Sequence, residues 1–210
     1  MSTLVDKIVQ AIRRDIYNGN LEAGEPLKQV ELANRYGVSP IPLREALQRL
    51  QVEGLVEYFA YRGAIVARTK KSEIIDIVGI RNVLEPLAFQ MALPTLDDEQ
   101  LARLTVLTDE LESPQASDAA YFMVKIFDYY AVLLAKAQRP LLLEMIQTNL
   151  KRAIRYYAEV VRRLDGQQPL LPSRHEYLEA LRRRDMNRLV TVLENRHASY
   201  VSFIEKHFKD

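Results

Sequence analysis

Arginine offers the clearest chemistry in this chain, because its guanidinium group can form two parallel hydrogen bonds with one partner. Arg44 follows the run Ser39-Pro40-Ile41-Pro42-Leu43, which suits the start of a helix because serine favours the cap and proline the first turn. Near the N-terminus of an exposed helix, an arginine can pair with the O6 and N7 atoms of guanine or contact phosphate. An ion pair with Glu31, Glu45 or Glu53 is the structural alternative.

The residues around Arg44 have the pattern of a helix-turn-helix. Ala33 is small where two helices would cross closely, and Gly37 stands where the chain turns and a positive φ is needed. Val38 and Leu47 can fill the seam between the two helices. The leading end of the second helix would then present to a DNA major groove the candidate contacts Ser39, Pro40, Ile41, Pro42 and Arg44.

Further side chains around this motif are candidate DNA contacts. Lys28 and Gln29 begin the first helix of the motif, where backbone N–H groups favour phosphate. We expect Arg49 to contact phosphate or to be solvated surface. Arg62, with Gly63 at the tip of a hairpin, suits a minor-groove or phosphate contact, or it is an exposed loop arginine.

The elements that position these residues divide the chain near residues 68–72. Five of the seven glycines lie within the first 63 residues, whereas the remainder has a helical period of 3.6. The pattern predicts three helices, at about 3–18, 29–36 and 40–53, and a hairpin of strands near 55–58 and 64–67. Six further helices are predicted at about 71–92, 97–112, 117–137, 139–164, 173–184 and 186–207. The fold class is therefore mainly α, with a winged helix-turn-helix over residues 1–70 and an antiparallel six-helix bundle over residues 71–210.

The composition excludes several classes of protein. No segment is long and apolar enough for a membrane span, so we expect no membrane partner. Cysteine is absent, which excludes disulfides and thiolate chemistry and fits a cytoplasmic location. The net charge of +1 does not by itself indicate nucleic-acid binding. A phosphate-binding loop, a nucleophile elbow and a metalloprotease helix are all missing from the sequence, so we expect no enzyme.

Residues 4–68 closely resemble the DNA-binding domain of the GntR family. The family pattern contains "LA…GVS…P.REAL…L..EGL" and a hairpin that ends in "RG..V". This chain matches it at Gly24, Leu27, Leu32, Ala33, Gly37, Val38, Ser39, Pro42, Arg44, Glu45, Ala46, Leu47, Leu50, Glu53, Gly54, Leu55, Arg62, Gly63 and Val66. Pro40 departs from it, because members often carry a basic, base-contacting residue there. The resemblance implies a transcriptional regulator, usually a repressor, that binds pseudo-palindromic double-stranded operator DNA as a homodimer.

The helical half resembles the FadR-type effector domain, also called the FCD domain, in its six-helix VanR-like form. Arg81 and Glu85 on the first long helix, Arg139-Pro140-Leu141-Leu142, Ala180 and Asp185 carry this looser resemblance. It implies a domain that dimerises and holds a small organic acid inside the bundle. A regulator without a small-molecule effector, in which this half serves only dimerisation, is the alternative.

Many FCD domains bind a divalent metal through one aspartate and three histidines, and this chain lacks a full set. It has three histidines, and the helix near 124–130 contains none. Asp128, His175 and His197 are the candidates that remain for zinc or nickel. We favour a cavity without any cofactor.

In such a cavity, Arg81 together with Arg174 or Arg196 would bind a carboxylate by bidentate hydrogen bonds. Ion pairs between these arginines and acids of the bundle are the alternative. The alignment to the family leaves two registers open, which differ by one residue. In one register Arg174 and Arg196 face the cavity, and in the other the histidines that follow each of them do. Tyr130 and Tyr157 are further candidates for contact with the effector.

Overall fold

The computed structural model describes residues 3–60, 63–68, 70–163 and 173–208, apart from the side chains of residues 155 and 160–163. The chain divides into two units, Met1–Thr69 and Lys70–Asp210. The first unit contains α1 (Leu4–Tyr17), α2 (Gln29–Tyr36), α3 (Pro40–Val52), β1 (Val56–Phe59) and β2 (Gly63–Val66). The second contains α4 (Lys71–Ala92), α5 (Asp98–Glu112), α6 (Ala119–Leu134), α7 (Pro140–Arg163), α8 (Arg174–Arg182) and α9 (Met186–His207).

Helix α1 packs against the buried face of α3 and holds it in place. Its first turn is fixed by a capping box, in which the Thr3 hydroxyl accepts from the Asp6 N–H and the Asp6 carboxylate accepts from the Thr3 N–H. Helix α1 packs on α3, and the apolar stripes of the two helices are buried. Arg13 adds an ion pair to Glu53 at the C-terminal cap of α3, with an N–O distance of 2.7 Å.

The turn between α2 and α3 is that of a helix-turn-helix. Gly37 adopts a left-handed conformation with φ of 64°, which costs glycine little, and ends α2. Ala33 is buried and Val38 half-buried, and the Val38 N–H donates to the Ala33 carbonyl oxygen. Ser39 is the N-cap of α3, as expected, but its hydroxyl makes no capping hydrogen bond.

The two strands form the wing. They pair antiparallel from Val56 opposite Val66 to Phe59 opposite Gly63, one residue away from the predicted bounds. A bridge between Pro26 and Ile65 fastens the hairpin to the segment that precedes α2. The predicted winged helix-turn-helix is therefore confirmed.

The second unit is all helical in its described residues. Helix α4 packs against α7 and α9, α5 against α6 and α8, and α6 against α7, and one apolar cluster joins α4, α7 and α9 around Ile77, Tyr156 and Ile204. Side chains of the N-cap residues start four of the helices, namely Asp97, Asp118, Ser173 and Asp185. None of the helices in the described ranges is long and apolar enough to cross a membrane.

Candidate functional sites

Arg44 lies exposed on the recognition helix α3, and no ion pair engages it among the described residues. The three acids considered as its partners each bind another cation, at 2.9, 2.7 and 2.7 Å: Glu31 binds Lys28, Glu45 binds Arg49, and Glu53 binds Arg13. The guanidinium group of Arg44 is therefore available to a ligand outside the protein.

A shallow groove beside Arg44 gathers polar side chains from three elements. It is lined by Gln29 of α2, Arg44, Gln48 and Gln51 of α3, and Tyr58 of β1. Burial raises the pKa of Tyr58, and the nearby cation of Arg44 opposes that shift. Sequence reasoning missed Gln48, although it lies four residues after Arg44 and so on the same helical face. A glutamine in this position can pair with adenine as an arginine pairs with guanine.

The leading end of α3 is mostly apolar and exposed. Ser39, Pro40 and Ile41 are exposed and Pro42 is half-buried. A second groove along this end is lined by Pro40, Ile41, Arg44, Glu45 and Gln48.

The other predicted DNA contacts are placed less favourably. Arg49 donates to Asp6 at 2.9 Å and to Glu45 at 2.7 Å, and the hydrogen bond with Glu45 raises its pKa most. Two carboxylates therefore already surround this cation. Lys28 binds Glu31 as described, and Gln29 is half-buried in the groove beside Arg44. Arg62 lies outside the described residues, whereas Gly63 is exposed at the start of β2.

The second unit contains a cavity of about 60 Å³ between α4, α6, α7, α8 and α9. Its polar lining consists of Arg81, Asn82, Glu85, Arg174, Tyr177, Arg196, His197 and Tyr200. Apolar residues complete it, among them Val78, Phe122, Ile126, Leu150, Ile154 and Leu193. Three guanidinium groups and one carboxylate thus meet in one small space.

The three cavity arginines have different partners. The Nε atom of Arg81 donates to Glu85 at 2.7 Å, and although burial alone would lower the pKa of Arg81, the Glu85 carboxylate raises it. Arg174 is buried and lies over the ring of Phe122 at 5.2 Å. Arg196 is partly buried over the ring of Tyr177 at 6.0 Å. Burial, followed by the neighbouring cation of Arg174, lowers the pKa of Arg196 to about 10.

The start of α8 is held by Glu112, at the C-terminal end of α5. Its carboxylate accepts from the Ser173 hydroxyl at 2.8 Å and from the Arg174 N–H at 2.5 Å. The guanidinium group of Arg174 lies 4.0 Å from the same carboxylate. Helix α5 therefore fixes the position of a cavity arginine without itself lining the cavity.

The histidines do not follow the arginines into the cavity in both helices. His175 is exposed, and its Nε2 lies 3.5 Å from Asp109. His197 lines the cavity beside Arg196, and burial and the cation of Arg81 lower its pKa. On α8 the arginine thus faces inward, and on α9 both residues border the cavity.

The three candidate metal ligands are not brought together. Asp128 lies in a separate groove between α5 and α6 with Arg103, while His175 is exposed and only His197 borders the cavity. Within the described part of the chain, no group of three or more histidines and carboxylates is arranged to hold a metal ion. Three guanidinium groups would moreover repel a cation there, so the residues present do not fit a metal.

The two candidate tyrosines differ in position. Tyr130 is buried with its ring edge-on to Tyr129 at 5.6 Å and does not line the cavity, because packing in the core occupies it instead. Tyr157 does line the cavity, and its hydroxyl donates to the Ala116 carbonyl oxygen at 2.8 Å. The sequence did not single out Tyr177, whose buried hydroxyl finds no hydrogen-bond partner among the described residues. That hydroxyl is available to a polar ligand.

Comparisons with known proteins agree with both halves of this architecture. The model of the gntR family of bacterial regulatory proteins matches residues 4–66, and that of the FCD domain matches residues 76–197. The HTH-type transcriptional repressor GlaR of Escherichia coli (strain K12) is 28% identical over 175 residues, which cover 81% of this chain and 80% of GlaR. The gluconate operon transcriptional repressor of Bacillus licheniformis is 24% identical over 194 residues, covering 89% of this chain and 79% of that protein.

A solved structure shows the same fold. Escherichia coli McbR/YncC aligns over 100% of both chains with a TM-score of 0.70 and 21% sequence identity. The first unit is a DNA-binding domain. This conclusion rests on the match to the gntR family model together with the exposed recognition helix and the wing. The chain belongs to the GntR family of bacterial regulatory proteins, as a DNA-binding transcriptional regulator that carries an FCD domain.

Proposed function

We propose that this regulator responds to a small organic acid bound in the cavity of the second unit. The observation that carries the proposal is the meeting of Arg81, Arg174 and Arg196 in that cavity. A carboxylate can accept two parallel hydrogen bonds from a guanidinium group. An anion between Arg174 and Arg196 would also relieve the repulsion between two cations in a space with little water.

The size and lining of the cavity favour a short acid with an apolar part. A volume of about 60 Å³ is several times the minimum of about 10–15 Å³ that one water needs, and it limits the ligand to a small molecule. Ile126, Leu150 and Leu193 would contact the apolar part, while Tyr177 offers a hydroxyl donor.

We propose further that the chain acts as a homodimer on a pseudo-palindromic operator. Exposed apolar side chains lie on α4 and at the start of α7, two helices that pack together: Ile80, Val83, Leu87, Leu141 and Met145. Such side chains are buried favourably when a second copy covers them in a two-fold arrangement. The two recognition helices would then meet two half-sites.

The effector would act by favouring one of two arrangements of the dimer. Its carboxylate would compete with Glu85 for Arg81 and draw α4, α8 and α9 towards itself, because these helices carry the three arginines. The change in operator affinity can be no larger than the difference in ligand affinity between the two arrangements. We expect the ligand to lower operator affinity and so to relieve repression.

A thermal-shift screen of short organic acids tests the effector. A ligand that binds the folded protein in preference to the unfolded chain raises the melting temperature of the protein. At a ligand concentration of a hundred times the Kd, the stabilisation is about 2.7 kcal/mol. Replacing Arg174 by Met should abolish the shift, whereas Arg152→Met, at an exposed position of α7 outside the cavity lining, should leave it unchanged. If no acid shifts the transition while the operator is still bound, the second unit serves dimerisation only.

Operator binding by two arginine variants tests the DNA interface separately. Arg44→Ala should weaken specific binding by about 1–3 kcal/mol and relax specificity at one base pair. Arg49→Ala is the matched variant on the same helix and should cost less, because Arg49 is already held by Asp6 and Glu45. Equal losses for both variants would contradict this assignment.

A further inference from the structure

The first turn of α3 is poor in hydrogen-bond donors. Pro40 and Pro42 have no backbone N–H, so Ile41 provides the one donor of the first three helical positions. A helix N-terminus usually attracts phosphate through several such groups. This end of the helix is therefore less suited to phosphate than to an apolar surface.

Ile41 contributes nothing to the core of the first unit. Its residue is 82% exposed, whereas the packed face of α3 consists of Leu43, Ala46, Leu47 and Leu50 at helical spacing. Ile41 also lies two residues away from Leu43, on a different side of the helix. A large side chain so exposed at the leading end of a recognition helix has no structural reason to be apolar.

The major groove offers one apolar group to such a side chain. Each base edge there presents hydrogen-bond donors or acceptors, and thymine adds its C5 methyl group. Arg44 and Gln48 border the same groove of the protein and can satisfy polar base edges. Ile41 beside them has neither donor nor acceptor in its side chain.

We propose that Ile41 recognises a thymine in each operator half-site through van der Waals contact with the C5 methyl group. This inference rests on the DNA-binding function of the first unit and adds a base identity to it. Specificity at that base pair depends on shape and burial rather than on hydrogen bonds.

Selection of binding sites from random duplexes by the full-length protein provides the operator for the test. Each thymine of the selected half-site is then replaced by deoxyuridine, which removes only the methyl group. At one position, removal should weaken binding about fourfold, the equivalent of about 0.8 kcal/mol for one buried methyl group. Ile41→Ala should bind the thymine and uracil duplexes equally well.

Two further variants control for folding and for general loss of apolar surface. Val52→Ala truncates a residue that is 87% exposed at the other end of the same helix, and it should keep the fourfold discrimination. Ile41→Val retains part of the side chain and should therefore keep part of the discrimination between thymine and uracil.

Three results would overturn the inference. The first is that the selected sites show no preferred thymine, and the second is that the wild-type protein binds equally well with uracil at every position. The third is that Ile41→Ala discriminates between thymine and uracil as strongly as the wild type does. Failure to enrich any duplex would instead contradict DNA binding itself, and an Ile41→Ala variant with normal operator binding but altered self-association would assign the residue to a protein contact.

Discussion

Arg196→Met should stabilise the ligand-free second unit, although it removes a charged side chain that we assign to effector binding. Folding lowers the pKa of Arg196 to about 10, mainly because the guanidinium group is buried, and this shift corresponds to a cost of about 3 kcal/mol for the charged form. The cost is fully present at neutral pH, because the guanidinium group is charged in both folded and unfolded states below pH 10. The cost is relieved only as the pH rises above about 10.

Two effects reduce the gain expected from this substitution. Arg196 is partly buried rather than fully enclosed, so solvent screens part of the repulsion from Arg174. The variant also loses the contacts of the guanidinium group, among them the contact with the ring of Tyr177, which is worth about 1 kcal/mol. A net stabilisation of about 1 kcal/mol remains, which should raise the melting temperature by about 3 °C.

Scanning calorimetry in a buffer without small carboxylates, phosphate or sulfate is the appropriate assay. Arg152→Met provides the control, because it removes the same charge from an exposed position of α7 and should leave the transition unchanged. A melting temperature for Arg196→Met that equals or falls below that of the wild type would refute the view that burial and the neighbouring cation of Arg174 destabilise the charged form of Arg196.

Three other predictions concern single positions in the two units. Gly24→Ala should destabilise the first unit by about 1–2 kcal/mol in chemical denaturation, because Gly24 has φ of +85°, which strains a residue with a Cβ atom; the new methyl group would also displace the flexible side chain of Arg68. Gly79→Ala, in α4 with open space around the position, should instead stabilise the second unit by up to about 1 kcal/mol; a loss of stability would indicate an unseen contact. The free energy of unfolding should fall as the pH drops below 6.5, because the unfolded state protonates His197 first, and His197→Gln should remove that component of the pH profile.

Much of the fold could be predicted from local signals. The predicted start of α5 at 97 and of α8 at 173 coincide with their N-cap residues Asp97 and Ser173. Gly37 indicated the turn of the helix-turn-helix because few other residues adopt positive φ at little cost. These features depend on neighbours within a few residues along the chain, which is why the sequence contains them.

The cavity arginine of α8 could also have been assigned from periodicity. Arg174, Tyr177, Leu178 and Leu181 are spaced by three and four residues and form one buried stripe. Alignment to the family signature left the choice between Arg174 and His175 open. The 3.6-residue period decides it, because one residue is a rotation of about 100° around the helix.

Contacts between segments that are distant along the chain could not be predicted from the sequence. Arg49 is exposed, as one of its two expected placements requires, but the sequence did not indicate its ion pair with Asp6, which lies 43 residues earlier and approaches only when α1 packs on α3. Tyr130 was expected at the cavity, yet its ring packs against Tyr129 in the core. Neither outcome follows from spacing along one helix, because each depends on how two elements meet.

The cluster of guanidinium groups would make the response of the regulator depend on the inorganic anions around it. Chloride and inorganic phosphate are abundant, and a pocket rich in positive charge attracts these anions in addition to the carboxylate of the proposed effector. The proposed effector would therefore have to displace an inorganic competitor, and the effector concentration needed to relieve repression would rise with the concentration of that competitor. Titrations in chloride, acetate and phosphate buffers should give different midpoints for one and the same compound.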